Sequence, residues 1–486
     1  MNLNYPTAGA FAAALQSHQI SAVEALDAAV ARIQARDGEL NAMVVRDFER
    51  ARLAAQAADD SLARGERRPL LGLPISVKES FNVAGLQTTW GVATSTRALA
   101  QSDAVAVGRL KRAGAVVLGK TNVATNLGDW QSVNPVYGLT RNPWDLARTA
   151  GGSSGGAAAA LAAGFVSLEL GSDLAGSLRV PAHCCGVFAH KPTHGLLPTR
   201  GHAPPGAPEL SVNVDVDLAV VGPMARCAAD LALALDLLAG PDEAQALGYK
   251  LALPPARHAR LSEFKVLVLD EHPLLPLSKE IRSAIGQFAA NLQRAGCVVD
   301  RSSPLLPDLT VLAETFNALM LPIVGADLPP ATYSAIQQQV TQLPKGDSDR
   351  ETMRLRAMVA THRDWIQVHR RRIALSHQWR EFFRTWDLVL CPILPTVAFA
   401  HDQRKMQERR LDVDGHPMAY SSLALWASVA TACGLPATAM PIGLGTSGLP
   451  IGIQIIGPYL EDRSTIGFAE LAEREYGGFT PPPGYD

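Results

Sequence analysis

The sequence predicts an α/β fold, on three observations. Short apolar, β-branched runs recur at 73–77, 115–118, 166–170, 264–269 and 388–392, each bounded by glycine, proline or small polar residues. Helical stretches rich in alanine, leucine and charge alternate with them, which is the order of an α/β architecture. The 486 residues are 47% hydrophobic, enough for a large core, and length alone allows two or three domains.

Taken in order, residues 7–35 read as two helices, the second opened by the capping box Ser21-Ala22-Val23-Glu24. A third spans roughly Asp47 to Arg64, and 65–68 is a surface turn. Apolar strands begin at Leu70. Ser102-Asp103 starts a helix that ends near Gly114, and 115–118 is a buried strand leading into Lys120-Thr121-Asn122. Ser153 and Ser154 open an alanine-rich helix, and 166–170 forms the strand after it. Residues 193–208, rich in glycine, proline and histidine, read as a long loop at a substrate entrance. A strand and an apolar helix occupy 217–240, and 254–263 is an exposed connector. The strand 264–269, a helix to about Ala295 and the strand 297–299 follow. Residues 310–385 are mostly helical, with loop signals at Pro329-Pro330 and Pro344-Lys345-Gly346, and are expected to be a variable insert shaping the pocket. Strands at 388–392 and 449–456 complete the sheet, and 479–486 reads as a surface tail.

The chemistry gathers in two small polar clusters, Gly151-Gly152-Ser153-Ser154-Gly155-Gly156 and Gly171-Ser172-Asp173-Leu174-Ala175-Gly176-Ser177. Glycine at this density lets backbone approach closely, and successive free N–H groups cradle negative charge. Ser177 stands beside such a row, as a nucleophile next to an oxyanion hole would. Serine needs a base, and Lys78 ends the apolar run Leu73-Pro74-Ile75-Ser76-Val77. A lysine desolvated there loses proton affinity and can act as one. Each feature has a plainer reading: glycine-rich turns, and a lysine whose stem is buried while its head reaches water. Gly152-Ser153-Ser154-Gly155-Gly156 also matches G-x-S-x-G, but the elbow of that motif follows an apolar strand. Here 139–150 is a loop with Pro143 and scattered charge.

Composition excludes other classes. The net charge of −2 gives no basic surplus for nucleic acid, and His362 to Arg372 reads as a solvated helix face. The six cysteines form no C-x-x-C pair and read as reduced thiols of a cytoplasmic protein. His183, His190, His194 and His202 fit no metal-ligand spacing, so no metal and no cofactor are expected. The N-terminus lacks a basic, apolar signal pattern. The longest uncharged stretch, 417–460, is broken by Gly434, Pro436, Pro441, Gly448 and Pro450, so no membrane span is expected. Asp173 and Arg179 are expected to pair and brace the loop of Ser177.

Lys78 in LPISVKES, GGSSGG at 151–156 and GSDLAGSLRVPA at 171–182 together resemble the amidase signature family of serine hydrolases. The 24-residue spacing of Ser153 and Ser177 agrees with it, as do Lys120-Thr121-Asn122, Asn142-Pro143-Trp144-Asp145, Lys191-Pro192-Thr193, Val221-Gly222-Pro223-Met224 and 448–454. The resemblance implies one domain over 1–486 built on a single large mixed sheet flanked by helices. Its parts would be N-terminal helices at 1–69, the signature core at 70–230, the insert at 310–385 and sheet completion at 386–486. It implies a Ser–cisSer–Lys triad: Ser177 as nucleophile, Ser153 as relay on a cis peptide bond, Lys78 as base. Leu174, Ala175, Gly176 and Ser177 would supply the oxyanion hole. Leu127 would contact substrate through its backbone, with Ser154 supporting the site. Trp130, with Trp90, Tyr137 and Trp426, fits an apolar or aryl substrate or equally the core.

The implied activity is hydrolysis of C–N bonds in a small-molecule amide, extending to carbamates and esters, by a monomer or homodimer. The alternative is a glutamyl-tRNA amidotransferase A-type subunit that needs partner chains. Four departures stand out. Ala175 replaces the first of two glycines before the nucleophile, and Ala150 replaces a common proline. Glu79 and Ser80 replace aspartate and asparagine after the lysine. Thr125 lies near the place of an acidic residue common in the amidotransferase subunits.

Overall fold

The computed structural model describes residues 5–95, 99–205, 216–344 and 349–485. Its centre is a mixed sheet of eleven strands: β1 Met43–Arg46, β2 Pro74–Lys78, β3 Val116–Thr121, β4 Leu168–Asp173, β5 Phe188–Lys191, β6 Val220–Ala225, β7 Lys265–Val268, β8 Val298–Asp300, β9 Leu388–Pro392, β10 Ala437–Leu444 and β11 Pro450–Ile456. Their order is β1-β3-β2-β4-β6-β5-β10-β11-β9-β7-β8. β3, β2 and β4 run parallel, as do β9, β7 and β8, with antiparallel pairs between the two wings.

β2, β3 and β4 are buried at every position, as strands covered on both faces are. Their parallel run places the carboxyl ends, Lys78, Thr121 and Asp173, at one edge of the wing, where ligand sites of such sheets fall. The helix Gly155–Ala162 packs over them with all eight residues buried. Its small side chains let it lie close: a Cβ on Gly156 would stand 2.3 Å from the backbone nitrogen of Asn122.

The two N-terminal helices are Ala8–Gln16 and Ala22–Leu40, and the capping box at Ser21 and Glu24 is formed in full. The segment 310–385 holds four helices, Leu309–Ala326, Pro330–Gln342, Arg350–Met358 and His362–Phe382. Leu309–Ala326 is the one helix, among the described residues, long and apolar enough to cross a membrane; Leu312, Phe316 and Leu319 bury one of its faces.

Three strands of the large sheet lie outside the sequence reading. Met43–Arg46 is short and ends in charge, and Phe188–Lys191 carries a histidine and a lysine, both buried. Ala437–Leu444 is broken by Pro441 and Gly443, where the register shifts. The expected surface tail is instead docked. The Tyr5 hydroxyl donates to the Tyr485 carbonyl at 2.8 Å, the Tyr5 and Phe479 rings meet at a tilt, and Arg36 lies over the Tyr485 ring. Aromatic residues at both chain ends bury surface that a free tail would leave wet. The last part of the expected entrance loop, 206–208, and Lys345-Gly346 lie outside the described residues.

Candidate active site

Lys78 ends β2 with its side chain wholly buried. Its Nζ donates to Ser153 Oγ at 2.7 Å and to Ser172 Oγ at 2.9 Å. Burial pushes its proton affinity from 10.5 down to about 7, against the pull of Asp173 and Glu169. The amine is therefore neutral in a large fraction of molecules near pH 7.

The Gly151–Gly156 loop is pinned by short hydrogen bonds. Ser132 Oγ donates to the Gly151 carbonyl at 3.0 Å and accepts from Gly155 N–H at 2.9 Å, while Thr149 Oγ1 accepts from Gly151 N–H. The Gly152–Ser153 peptide bond is cis. Ser154 stands at the N-cap of the Gly155–Ala162 helix. Its N–H donates to the Ser177 carbonyl at 3.3 Å, and its Oγ donates to the Ser172 carbonyl at 3.4 Å. One serine-rich loop is thereby tied to the other.

Ser177 sits between β4 and the helix Arg179–Cys185, 8% exposed. Among the described residues no group claims its hydroxyl, which leaves the oxygen open to an incoming carbonyl. The loop before it is held by Asp173, whose carboxylate accepts from Gly176 N–H at 2.9 Å and Leu178 N–H at 3.1 Å. The fully buried Arg179 closes the fork on Asp173 at 2.9 and 3.0 Å. Burial raises the Asp173 carboxyl, but Arg179 and these donors outweigh it and hold it at about 2.

Of the four expected oxyanion donors, Gly176 N–H is thus already engaged. Leu174, Ala175 and Ser177 keep N–H groups without a bond to a described residue. The left-handed turn falls on Gly176, at φ +99°, and not on Ala175, so the replacement of glycine at 175 brings no strain. Trp130 Nε1 donates to the Ala175 carbonyl at 2.9 Å. Its ring meets Tyr420 edge-on, and Tyr420 and Arg409 both bond Asp129 at 2.6 Å. Leu127, half-buried, closes the short turn Thr125–Leu127 with φ +55°. Trp426 is core, and Tyr137 donates its hydroxyl to Glu79.

Two residues near the lysine had no assigned role in the sequence reading: Ser172, a second oxygen for Nζ, and Glu169, a buried carboxyl on β4. Both lie in or beside a segment already singled out, but nothing in residue type told which polar positions face inward. His202, from the expected entrance loop, bonds Ser80 at 3.0 Å between the rings of Phe81 and Trp90. Burial and the Lys78 charge push its proton affinity down. Among the described residues no group of three His, Cys, Asp or Glu is placed to hold a metal ion. A cleft of about 730 Å³ is lined by Tyr420, Phe399, Arg409 and Arg410 among others. Lys78, Ser153 and Ser177 do not line it.

A buried lysine, two serine-rich loops and unbonded backbone N–H groups thus meet at the carboxyl ends of a parallel wing. The chain belongs to the amidase signature family, matching the Amidase family over residues 24–466, and is a hydrolase acting on C–N bonds. It is 31% identical to the A-type glutamyl-tRNA(Gln) amidotransferase subunit of Anaeromyxobacter dehalogenans, over 97% of this chain and 96% of that protein. An indoleacetamide hydrolase of Bradyrhizobium diazoefficiens is 32% identical, over 95% of this chain and 85% of that protein. Among solved structures, a chain from a vestigial protein complex bearing on the origins of an s-triazine catabolic enzyme superposes with a TM-score of 0.79. That chain is 30% identical, and the match covers 98% of this chain and 100% of it.

Proposed function

We propose that the protein hydrolyses the C–N bond of a small-molecule amide through an acyl-enzyme on Ser177, with Ser153 as relay and Lys78 as base. The observation that carries this is the buried Lys78 Nζ, 2.7 Å from Ser153 Oγ and near neutrality at about pH 7. Neutral Nζ offers its lone pair to the Ser153 proton while an N–H stays on Ser172 Oγ. Ser153 Oγ in turn takes the Ser177 proton as Ser177 Oγ bonds the carbonyl carbon. The oxyanion rests on the Leu174, Ala175 and Ser177 N–H groups. Collapse breaks the C–N bond, and the relay returns the proton to the leaving amine. Water, deprotonated by the same pair, then releases the acid and restores Ser177. Carbamates and esters suit the same machinery.

A second reading, an amidotransferase A-type subunit, is favoured by the 31% identity to such a protein over 97% of the chain. The near-neutral net charge and Thr125 at the place of the acidic residue weigh against it. The test is turnover of aryl anilides, primary aliphatic and aryl amides, an aryl carbamate and a nitrophenyl ester by the purified chain and by Ser177→Ala. Serine-dependent cleavage supports the hydrolase. A folded chain silent on all of them, active only with partner chains, supports the amidotransferase reading.

A further inference from the structure

Glu169 is a carboxyl buried to 1% exposure in the core of the sheet, and the chemistry above makes no use of it. It faces Ser76 across the parallel β2–β4 pair. Ser76 and Lys78 are two residues apart on one strand, so both point to the same face. The carboxyl therefore lies on the face of the lysine, one pair along the strand. Its oxygens meet neutral donors: the Ser76 hydroxyl at 2.6 Å and Leu170 N–H at 2.9 Å. The Thr121 hydroxyl, otherwise unpartnered, also faces it. Among the described residues no arginine, lysine or histidine makes an ion pair with it, whereas Asp173, the other acid near Lys78, is bound by Arg179. The carboxyl therefore acts on the charge of Lys78 through space, alongside Asp173.

We propose that Glu169 is a positioning residue for the base: its buried carboxyl governs whether Lys78 holds or releases its proton. The proposal rests on the reading of Lys78 as base. The titratable groups around Lys78 are Asp173 and Glu169 on β4 and His202 from the loop after β5. Glu79, next in sequence, turns away to Thr89, Trp90 and Tyr137. Asp173 stays ionised throughout and His202 stays neutral, so Glu169 is the group whose charge changes in the range where Lys78 titrates. Burial holds the Glu169 proton up to about 7, the same range as the lysine. An ionised Glu169 keeps the proton on Lys78, and a protonated or neutral side chain there lets it go. Replacing the acid by its amide makes the lysine a base at lower pH.

The experiment is the rate of Ser177 labelling by a fluorophosphonate as a function of pH, which needs no knowledge of the substrate. Wild type, Glu169→Gln, Ser76→Ala and Lys78→Ala are compared. Wild type rises through a midpoint near 7, and Glu169→Gln moves that midpoint down by about one pH unit. Ser76→Ala removes a hydrogen bond that favours the carboxylate, so its midpoint shifts the same way by less. That variant carries the test if the glutamine protein does not fold. A merely structural role lowers the plateau or the melting temperature and leaves the midpoint in place. Superimposable midpoints in wild type, Glu169→Gln and Ser76→Ala, with Lys78→Ala inert, overturn the role of Glu169 alone. Full labelling of Lys78→Ala overturns the base assignment and with it both readings.

Discussion

Replacing Lys78 by methionine is expected to destroy activity and stabilise the protein at the same time. The folded chain holds the lysine proton at about 7, and the unfolded chain holds it at 10.5. Between these values the unfolded state binds more protons, so stability rises with pH across the window. The destabilisation is fully present below 7 and fades as pH approaches 10.5. Its ceiling is roughly 5 kcal/mol, from about 1.4 kcal/mol per pH unit. Methionine removes that penalty but gives up the bonds to Ser153 and Ser172, worth about 1 kcal/mol each. The net gain at pH 7 is about 2–3 kcal/mol. With an unfolding entropy of roughly 1 kcal/mol per kelvin for a chain this long, the melting temperature rises by about 2–3 °C.

Scanning calorimetry of both proteins at pH 7 and pH 10, beside turnover of a nitrophenyl ester, reads the effect. The gap in melting temperature shrinks at the higher pH, because the cost of discharging the lysine on folding falls with every pH unit above 7 and little of it remains at pH 10. A methionine variant that melts lower than wild type at pH 7, or a gap that widens with pH, would refute the account of a strained, desolvated base. The prediction sets stability against activity at one residue, as expected where a site is built from groups the fold would rather exclude.

Arg179→Met should cost about 3–5 kcal/mol, because Asp173 is left as a buried charge without its counter-ion; an unchanged denaturant midpoint would show that the pair is not needed. The same variant should label slowly with fluorophosphonate, since Asp173 also holds the Gly176 and Leu178 N–H groups. Trp130→Phe keeps the ring against Tyr420 but loses the bond to the Ala175 carbonyl, so kcat should fall several-fold with KM nearly unchanged; a change confined to KM would place Trp130 on the substrate instead. Tyr5→Phe removes the bond to the Tyr485 carbonyl and should lower stability by about 1 kcal/mol without touching kcat.

The parts of the site written in contiguous motifs were legible from residue type and spacing. Lys78 closes an apolar run, Ser153 stands in a glycine cluster, and Asp173 and Arg179 flank Ser177; the structure brings Lys78 and Ser153 within hydrogen-bond distance and pairs Asp173 with Arg179. The long helices and central strands were legible for a similar reason, since local periodicity reports a buried face. Three things depend on distant partners and were not. The strand Phe188–Lys191 is buried although His190 and Lys191 are polar, because His190 meets Asp462, which is 272 positions away, at 3.0 Å. Ser172 and Glu169 lie on one strand, and residue type does not tell that Ser172 bonds Lys78 or that register with β2 sets Glu169 beside Ser76. Gly176 N–H, expected among the oxyanion donors, is bonded to the Asp173 carboxylate, a partner that the motif alone does not name.

The nucleophile loop depends on parts of the chain far from its own sequence. Arg179 is held by Asp173 on its own side, and also by the Ala427 carbonyl at 3.0 Å, Thr431 Oγ1 at 2.8 Å and Gln454 Oε1 at 2.7 Å. Gln454 is fixed in turn by the carbonyls of Pro392 and Trp426, both at 2.8 Å. The guanidinium thus joins β4 to the Ala424–Thr431 helix and to β11, near the middle of the sheet. Buried donors of this kind destabilise strongly when their acceptors are missing. A fragment ending near residue 240 would contain Lys78, Ser153 and Ser177, yet it would leave Arg179 with three acceptors lost and Asp173 with an unanchored partner. Such a fragment should neither fold nor react with a fluorophosphonate. A labelled, folded fragment would show that the C-terminal half shapes substrate choice only, and that the geometry of Ser177 is set within the first half of the chain.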